Sequence, residues 1–148
     1  MYMNKFYSCL KDAKKYEIET LKYLDFDKFE FNDDNRFDIK IIKDNIIKLI
    51  EVKKEILASK TGNIVIEYFC RGKPSGIDVT EAEDYYYYVV YPNKYRLFKL
   101  PVIDIKNMIK NKLYVRECIG GDDMASKMFL ISIKSIEKYE LDLNKYLK

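Results

Sequence analysis

Histidine is absent from this chain of 148 residues, and cysteine is scarce. Without histidine, every mechanism that relies on an imidazole base is excluded, the serine triad among them. The three cysteines, Cys9, Cys70 and Cys118, are far apart and form no CxxC motif, which weighs against a disulfide scaffold and a zinc site. Acid–base chemistry must therefore come from Asp, Glu, Lys, Tyr or metal-bound water.

Long apolar runs are also absent. No stretch approaches the roughly 18 apolar residues that a membrane span needs, and the start, MYMNKFYSCLKDAKKYE, lacks the apolar segment of a signal peptide. We therefore expect no membrane partner and a cytoplasmic or nuclear location. With 48% hydrophobic and 34% charged residues, and with no repeats or low-complexity linker, residues 1–148 are predicted to form one globular domain.

The net charge of +3 permits a nucleic-acid partner without arguing for one, because basic charge must be clustered to attract a polyanion. Lysine far outnumbers arginine, and isoleucine, asparagine and tyrosine are frequent. Such usage is typical of an AT-rich coding genome, as in some viruses and phages.

The stretch RFDIKIIKDNIIKLIEVK, residues 36–53, predicts two antiparallel strands joined by a tight turn. Residues 44–45, an Asp-Asn pair between β-branched apolar runs, tolerate the positive φ that a two-residue hairpin turn requires. That register places Asp38 directly opposite Glu51. Side chains alternate along a strand, so Lys53 follows Glu51 on the same face.

Directly opposed residues have Cβ atoms about 5 Å apart, so ionised carboxylates at Asp38 and Glu51 would repel each other. Solvent exposure, a shared proton or a bound cation would relieve that repulsion. A cation such as Mg²⁺ binds through one or two carboxylates and keeps several waters, one of which Lys53 could position. A solvated, charged strand end is the simpler alternative.

Residues 6–24 predict an amphipathic helix, because apolar side chains recur there at helical spacing. Glu17 falls near the middle of the apolar stripe, whereas Glu19 falls on the opposite face. An acid among apolar residues needs a partner or a metal, so Glu17 is a candidate third acid of the site. A narrower stripe with Glu17 at its edge is the alternative.

A further strand is predicted at residues 64–69, followed by a loop at 70–76. Alternation places Glu67 within the sheet, where it could join the acidic site or form an ion pair with Lys53 or Arg71. Cations among glycines, a proline and a serine can approach a phosphate, although a plain surface turn explains the same composition. The candidate phosphate contacts of this loop are Arg71, Lys73 and Ser75.

The remaining chain predicts two connections, three strands and more helix. The predicted connections span residues 25–35 and 55–63, and the predicted strands span 85–91, 95–100 and 128–133. Helices are predicted at 81–83, capped by Asp78 or Thr80, and at 102–112. Residues 135–146 are predicted to form a short helix or an irregular tail. For the tyrosine-rich run at 85–91, packing within a sheet is favoured over stacking on bases.

The chain resembles the PD-(D/E)XK nuclease superfamily in its order of helix, strands and helix, and in Asp38 followed by Glu51-Val52-Lys53, its one E-x-K/R pattern. The segment KYEIETLKYL, which holds Glu17, is similar to the first helix of archaeal-type Holliday junction resolvases. The stretch TGNIVIEYFCRGKPSGI resembles one in small phage and viral proteins of the superfamily. Phe37 stands where the family motif has proline.

The resemblance implies an α/β (α+β) fold with a central mixed sheet flanked by helices, the αβββαβ restriction-endonuclease-like core. It implies Mg²⁺ or Mn²⁺ as cofactor. The implied catalytic residues are Asp38, Glu51 and Lys53. The implied metal ligands are Glu17, Asp38, Glu51 and the backbone carbonyl of Val52, with Glu67 as a further acid. Contacts to the DNA backbone would come from Arg71, Lys73 and Ser75.

The implied activity is metal-dependent hydrolysis of DNA phosphodiester bonds. Resolution of Holliday junctions or cutting of branched DNA, in recombination, repair or replication, is the expected task, and a homodimer is the expected assembly. One alternative is a catalytically inactive subunit of the same fold that binds DNA or assembles into a complex. A nuclease acting on RNA or on single strands is another.

Overall fold

The computed structural model describes residues 13–33 and 36–147. The helices are α1 (13–20), α2 (Ala58–Thr61) and α3 (Val102–Lys110), with 3₁₀ turns at Leu21–Tyr23, Gly76–Asp78, Asp122–Met124, Ile133–Tyr139 and Leu143–Tyr146. The strands are β1 (Lys28–Phe31), β2 (Ile39–Lys43), β3 (Ile46–Glu55), β4 (Asn63–Cys70), β5 (Lys73–Pro74), β6 (Asp84–Val90), β7 (Tyr95–Pro101), β8 (Arg116–Gly120) and β9 (Ser126–Ser132). No helix within these ranges is long and apolar enough to cross a membrane.

The first sheet has five strands in the order β1-β2-β3-β6-β7. Strands β1, β2 and β3 pair antiparallel, β3 and β6 run parallel, and β7 returns antiparallel to β6. Helix α1 covers one face, where Tyr16 packs against a core that includes Ile39, Ile50 and Tyr88. The predicted mixed α/β class with a central mixed sheet is therefore confirmed at this level.

A second sheet, in the order β5-β4-β9-β8, covers the other face of the first. Its Ile64 and Ile131 pack in one buried cluster with Tyr87 and Phe98 of the first sheet. The predicted strand at 64–69 exists as β4, but it lies in this second sheet and not beside the hairpin.

Four consecutive tyrosines connect the two cores. Tyr85 and Tyr87 belong to the cluster between the sheets, whereas Tyr86 and Tyr88 belong to the cluster under α1. All four are buried, because β6 is a central strand with both faces covered and alternation sends successive side chains to opposite faces. Their predicted packing role is confirmed.

The hairpin forms in the predicted register. Lys43 pairs with Ile46 and Ile39 with Ile50, and both turn residues have positive φ, 51° at Asp44 and 65° at Asn45. This is the combination that a type I′ turn requires, and its twist matches that of the flanking strands.

Three predicted segments differ from the structure. The connection at 25–35 contains β1, because Phe29 and Phe31 form an aromatic row beside β2. The predicted loop at 55–63 contains the end of β3 and α2. Residues 81–83 are not helical, because their backbone N–H groups pair elsewhere: Glu81 donates to the carbonyl of Arg36 and Glu83 to that of Leu49. Strand β8 was not predicted.

The backbone at Gly76, in the loop after β5, lies very close to β4. A Cβ at Gly76 would lie 2.2 Å from the carbonyl oxygen of Glu67, whereas a Cβ at Gly72 would meet nothing within 4 Å. Both glycines have positive φ, so Gly72→Ala controls for backbone strain. We expect Gly76→Ala to lower the free energy of unfolding by at least about 1 kcal/mol more than Gly72→Ala, measured by urea titration. Equal losses would contradict the close approach.

Candidate functional site

Asp38 is held against β3 by two hydrogen bonds at the point where β2 begins. Its backbone N–H donates to the carbonyl of Ile50 at 2.8 Å, and its Oδ2 accepts from the backbone N–H of Val52 at 2.7 Å. The hairpin register continued by one residue places Asp38 opposite Glu51, as predicted. The aspartate therefore has a fixed position relative to the strand that carries the other candidate residues.

Glu51 is a buried carboxylate with two polar neighbours. The residue is 8% exposed, its Oε1 lies 3.4 Å from Nζ of Lys53, and its Oε2 lies 3.3 Å from Oγ1 of Thr80. The Thr80 hydroxyl also lies 3.2 Å from the carbonyl of Arg36. One hydroxyl proton serves both acceptors, so Thr80 satisfies Glu51 only in part.

Glu17, on α1, completes a group that we call the acid cluster: Glu17, Asp38 and Glu51. Burial raises the pKa of Glu17 to about 7, and the nearby charge of Asp38 adds to the increase. Burial also raises the pKa of Asp38, against the opposing effects of the Val52 N–H and Lys53. The pKa of Glu51 is raised by burial and by Asp38, although Lys53 lowers it. The helix and hairpin thus bring together the three acids that the sequence singled out.

A cluster of acids whose pKa values are all raised binds protons more readily than isolated acids do, and a cation would relieve the same repulsion between the carboxylates. Carboxylate oxygens are the ligands that Mg²⁺ and Mn²⁺ prefer. The N–H and C=O of one strand residue point to the same edge, so the carbonyl of Val52 faces the edge at which Asp38 binds its N–H. Asp38, Glu51 and that carbonyl fit a hard divalent cation that keeps several waters.

Some features limit the number of direct carboxylate ligands. Among residues 13–33 and 36–147, no group of three or more Asp, Glu, His or Cys side chains has the spacing of a preformed metal site. Oδ2 of Asp38 and Oε1 of Glu51 already face Val52 and Lys53. The arrangement therefore suits a Mg²⁺ ion bound through one or two carboxylates better than a dedicated all-protein cage.

Glu67 is close to Lys53 but has a different partner. Its Oε2 accepts a hydrogen bond from Oγ of Ser75 at 3.0 Å. Within the described ranges it forms no ion pair with Lys53 or Arg71, the two partners considered from the sequence. Its side chain lines a cleft that Lys53 also lines. Glu67 therefore lies near the acid cluster but is not part of it.

Arg71 and Lys73 are exposed in the hairpin between β4 and β5. Arg71 and Gly72 have φ of 50° and 79°, the signature of a tight turn, and the backbone N–H of Arg71 donates to the carbonyl of Ala125. This geometry accounts for the glycine-rich composition. Phosphate contact by Arg71, Lys73 and Ser75 stays a prediction.

Two clefts meet at Lys53 and Lys54. The helix-side cleft, about 310 Å³, is bordered by Tyr16, Glu17 and Asp38. The other, about 440 Å³, lies between the end of β3, β4 and β6, and we call it the tyrosine cleft. The lysines therefore form a shared rim between two recesses.

Thr80 and Tyr85 are neighbours of the site that sequence reasoning missed. Tyr85 pairs with Glu51 across the β3–β6 ladder and is buried, and that burial raises its pKa so that it stays protonated. Thr80 was interpreted only as a helix cap. No motif marks either residue, because their positions depend on the parallel pairing of strands far apart in sequence.

The pH dependence of stability tests the environment of Glu17. Its pKa rises from 4.5 to about 7 on folding, so the native state holds a proton that the unfolded state releases between these values. Its contribution to stability is complete below about pH 4.5 and is lost as the pH rises through 7. Glutamine does not ionise, so the variant avoids this loss. We therefore expect the free energy of unfolding of Glu17→Gln to exceed that of wild type by more at pH 8 than at pH 4.5, measured by urea titration in EDTA.

Glu19→Gln is the matched control on the same helix. Burial raises the pKa of Glu19, but hydrogen bonds from Lys22 and Tyr95 outweigh it and lower the pKa overall. Its stabilising contribution is present above its unfolded pKa and lost as the pH falls, the opposite of Glu17. Glu19→Gln should therefore lower stability at pH 8. Two variants with the same sign at pH 8 would contradict the assigned environments.

Comparisons with protein-family models, curated proteins and solved structures give no match. The function has to be argued from the chemistry of the acid cluster and its surroundings, since a fold alone does not determine an activity.

Proposed function

We propose that this protein is a metal-dependent endonuclease that hydrolyses DNA phosphodiester bonds. The observation that carries the proposal is the convergence of Glu17, Asp38 and Glu51 from separate elements, with the Lys53 ammonium 3.4 Å from Glu51. Three acids with raised pKa values beside a lysine that contacts one of them are typical of functional sites, and hydrolysis of a phosphodiester uses both a cation site and a fixed positive charge.

The PD-(D/E)XK assignment is part of this proposal. It is supported by α1 followed by an antiparallel β1-β2-β3 meander and by β6 parallel to β3, the strand arrangement expected of the αβββαβ core. The crossover is the departure. Residues 56–83 contain α2, β4, β5 and a 3₁₀ turn where the family core has a packed helix.

In this mechanism, Asp38, Glu51 and the carbonyl of Val52 would hold Mg²⁺ or Mn²⁺, and Glu17 would bind it directly or through water. Such an ion, when bound, would supply a water of lowered pKa and polarise the scissile phosphate. Lys53 orients the attacking water and neutralises charge that develops on the phosphate oxygens. Val52 keeps Asp38 in place through its N–H, and Thr80 does so for Glu51.

Branched or double-stranded DNA is the proposed partner, with Arg71, Lys73 and Ser75 contacting its backbone. Such contacts position a strand without reading its sequence. A homodimer would present two sites to the two equivalent strands of a junction. An intracellular location and a viral or phage source remain predictions from the sequence.

A catalytically inactive DNA-binding or complex-forming subunit is the second candidate. The observation that favours it is that Asp38 and Glu51 already have intramolecular partners in Val52, Lys53 and Thr80. Such contacts could preserve the cluster as a purely structural feature.

Cleavage assays separate the assigned roles. We expect Asp38→Ala or Glu51→Ala to abolish Mg²⁺-dependent cleavage while DNA binding persists, because these carboxylates hold the cation. Lys53→Ala should lower the rate about 10²–10³-fold with metal binding retained. Lys48→Ala, at an exposed position of the same strand, should leave the rate unchanged. Duplex, four-way-junction, flap and single-stranded substrates with and without Mg²⁺ identify the preferred structure, and full activity in a site variant would remove its residue from the mechanism.

Calorimetric titration with Mn²⁺ distinguishes the enzyme from the inactive subunit. We expect a single class of sites at pH 8, weakened at pH 5 because protons compete for the acid cluster. Asp38→Asn should abolish binding, whereas Glu30→Gln, an exposed acid on β1, should leave it intact. Binding that is absent in the wild type, or unaffected by Asp38→Asn, would favour the inactive subunit.

A further inference from the structure

The tyrosine cleft lies directly beside the acid cluster. Its volume is about 440 Å³, within the range of small-molecule sites, and it shares Lys53 and Lys54 with the helix-side cleft. Lys53 is also the residue 3.4 Å from Glu51. A group bound in this cleft would therefore be connected, across one lysine, to whatever the acid cluster acts on.

The walls of the cleft are apolar and aromatic. Tyr85 and Tyr87 contribute from β6 and Val65 from β4. At the mouth, Ile56 and Leu57 are 53% and 63% exposed, although both are large apolar side chains. Tyr85 and Tyr87 are buried and present no open ring face, so the apolar contact would come from Ile56 and Leu57. Exposed apolar side chains of this kind suit a flat, uncharged ring, which packs against them regardless of the base sequence.

The charges inside the cleft select against an anion. Glu55 and Glu67 line it, and both would repel a phosphate that entered. The Glu55 carboxylate already accepts a hydrogen bond from the Tyr87 hydroxyl, which also accepts from the backbone N–H of Val65. Among the described residues, Ser75 is the one hydrogen-bond donor to Glu67, so this carboxylate retains acceptor capacity toward a ligand.

The cationic rim and the acidic, apolar interior of the cleft together match the phosphate and the base of a nucleotide. The lysines at the rim suit a phosphate, and the interior suits a base whose exocyclic amino group can donate to a carboxylate, as the N4 amino group of cytosine does to Glu or Asp. A thymine has no such amino group. A free carboxylic acid or a phosphate would meet repulsion from Glu55 and Glu67.

We propose that the tyrosine cleft binds the base of an unpaired nucleotide that carries an exocyclic amino group, and that Glu67 accepts a hydrogen bond from this group. The placement of that nucleotide beside a scissile phosphate rests on the proposed nuclease function. A base inside a duplex cannot enter such a recess without leaving the stack, so the substrate class is single-stranded DNA or the unpaired nucleotides of branched DNA.

Binding of fluorescein-labelled oligonucleotides in EDTA tests the cleft without requiring cleavage. The probes are a short oligothymidylate and the same strand with one central dC, dA or dG, measured by fluorescence anisotropy at one salt concentration. We expect at least one amino-bearing probe to bind wild type about tenfold more tightly than oligothymidylate. Glu67→Gln should abolish that preference, and Leu57→Asp should weaken binding of every probe.

Matched controls are Glu117→Gln, an exposed acid of the second sheet, and Leu113→Asp, a leucine 58% exposed outside the cleft. Both should bind like wild type, and thermal melts should show that all four variants fold. Chemical-shift changes on adding dCMP to wild type provide a measurement that needs no variant, and they should map to β4, β6 and the end of β3.

The outcomes separate this inference from the nuclease proposal. Equal affinity for all probes, or a preference that survives Glu67→Gln, overturns the base-binding cleft even where Mg²⁺-dependent cleavage is observed. Conversely, a base preference lost in Glu67→Gln supports the cleft even where Asp38→Ala and wild type are equally inactive. Absence of binding to any single strand, with binding to duplex alone, also overturns it.

Discussion

The proximity of two carboxylates, Asp38 and Glu51, is the constraint around which the rest of the site is arranged. Like charges opposite each other destabilise a sheet, and burial removes the water that would screen them. The protein offsets the repulsion with neighbouring groups rather than with exposure: a backbone N–H for Asp38, an ammonium and a hydroxyl for Glu51. Glu17 adds a third acid, whose pKa is raised to about 7 by burial first and by the charge of Asp38 second.

Such an arrangement lowers stability compared with a neutral sheet, and proteins retain features of this kind mainly where function requires them. The surroundings point the same way. The hairpin, the parallel β6 and α1 all pack on a buried core beside the cluster. A solvated strand end would need none of these supports, and 8% exposure of Glu51 contradicts that alternative.

The parts predictable from the sequence are those determined by local rules. Alternation of side chains and the Asp-Asn turn were sufficient to predict the register that brings Asp38 to Glu51, and helical spacing was sufficient to point to Glu17. The second sheet was beyond such rules. Strand β8 has mostly exposed residues and no clear alternation, and the placement of β4 away from the hairpin depends on packing between distant segments.

The same distinction explains why Thr80 and Tyr85 were missed. Both contact Glu51 across about thirty residues of sequence. Thr80 does so through a hydrogen bond from its hydroxyl in a loop, and Tyr85 through the parallel pairing of β3 with β6. Nothing in the sequence near either residue carries that information. Their identification depended on knowing that β3 is a central strand with a different neighbour on each side.

The central position of β3 also explains how one strand can serve two clefts. Successive side chains face opposite sides, so Lys53 lies near Tyr85 whereas Lys54 lies over the ring of Tyr16 on α1. The acid cluster is located where β2 has not yet begun, so no paired strand separates the two sides at that point. Under the proposed nuclease function, a strand of nucleic acid lying across this gap would place its phosphate at a cation held by the acids and a base to one side. Catalytic side chains and side chains that line the tyrosine cleft would then lie on the same strand. The alternation of side chains along β3 is the feature that distributes them between its two sides.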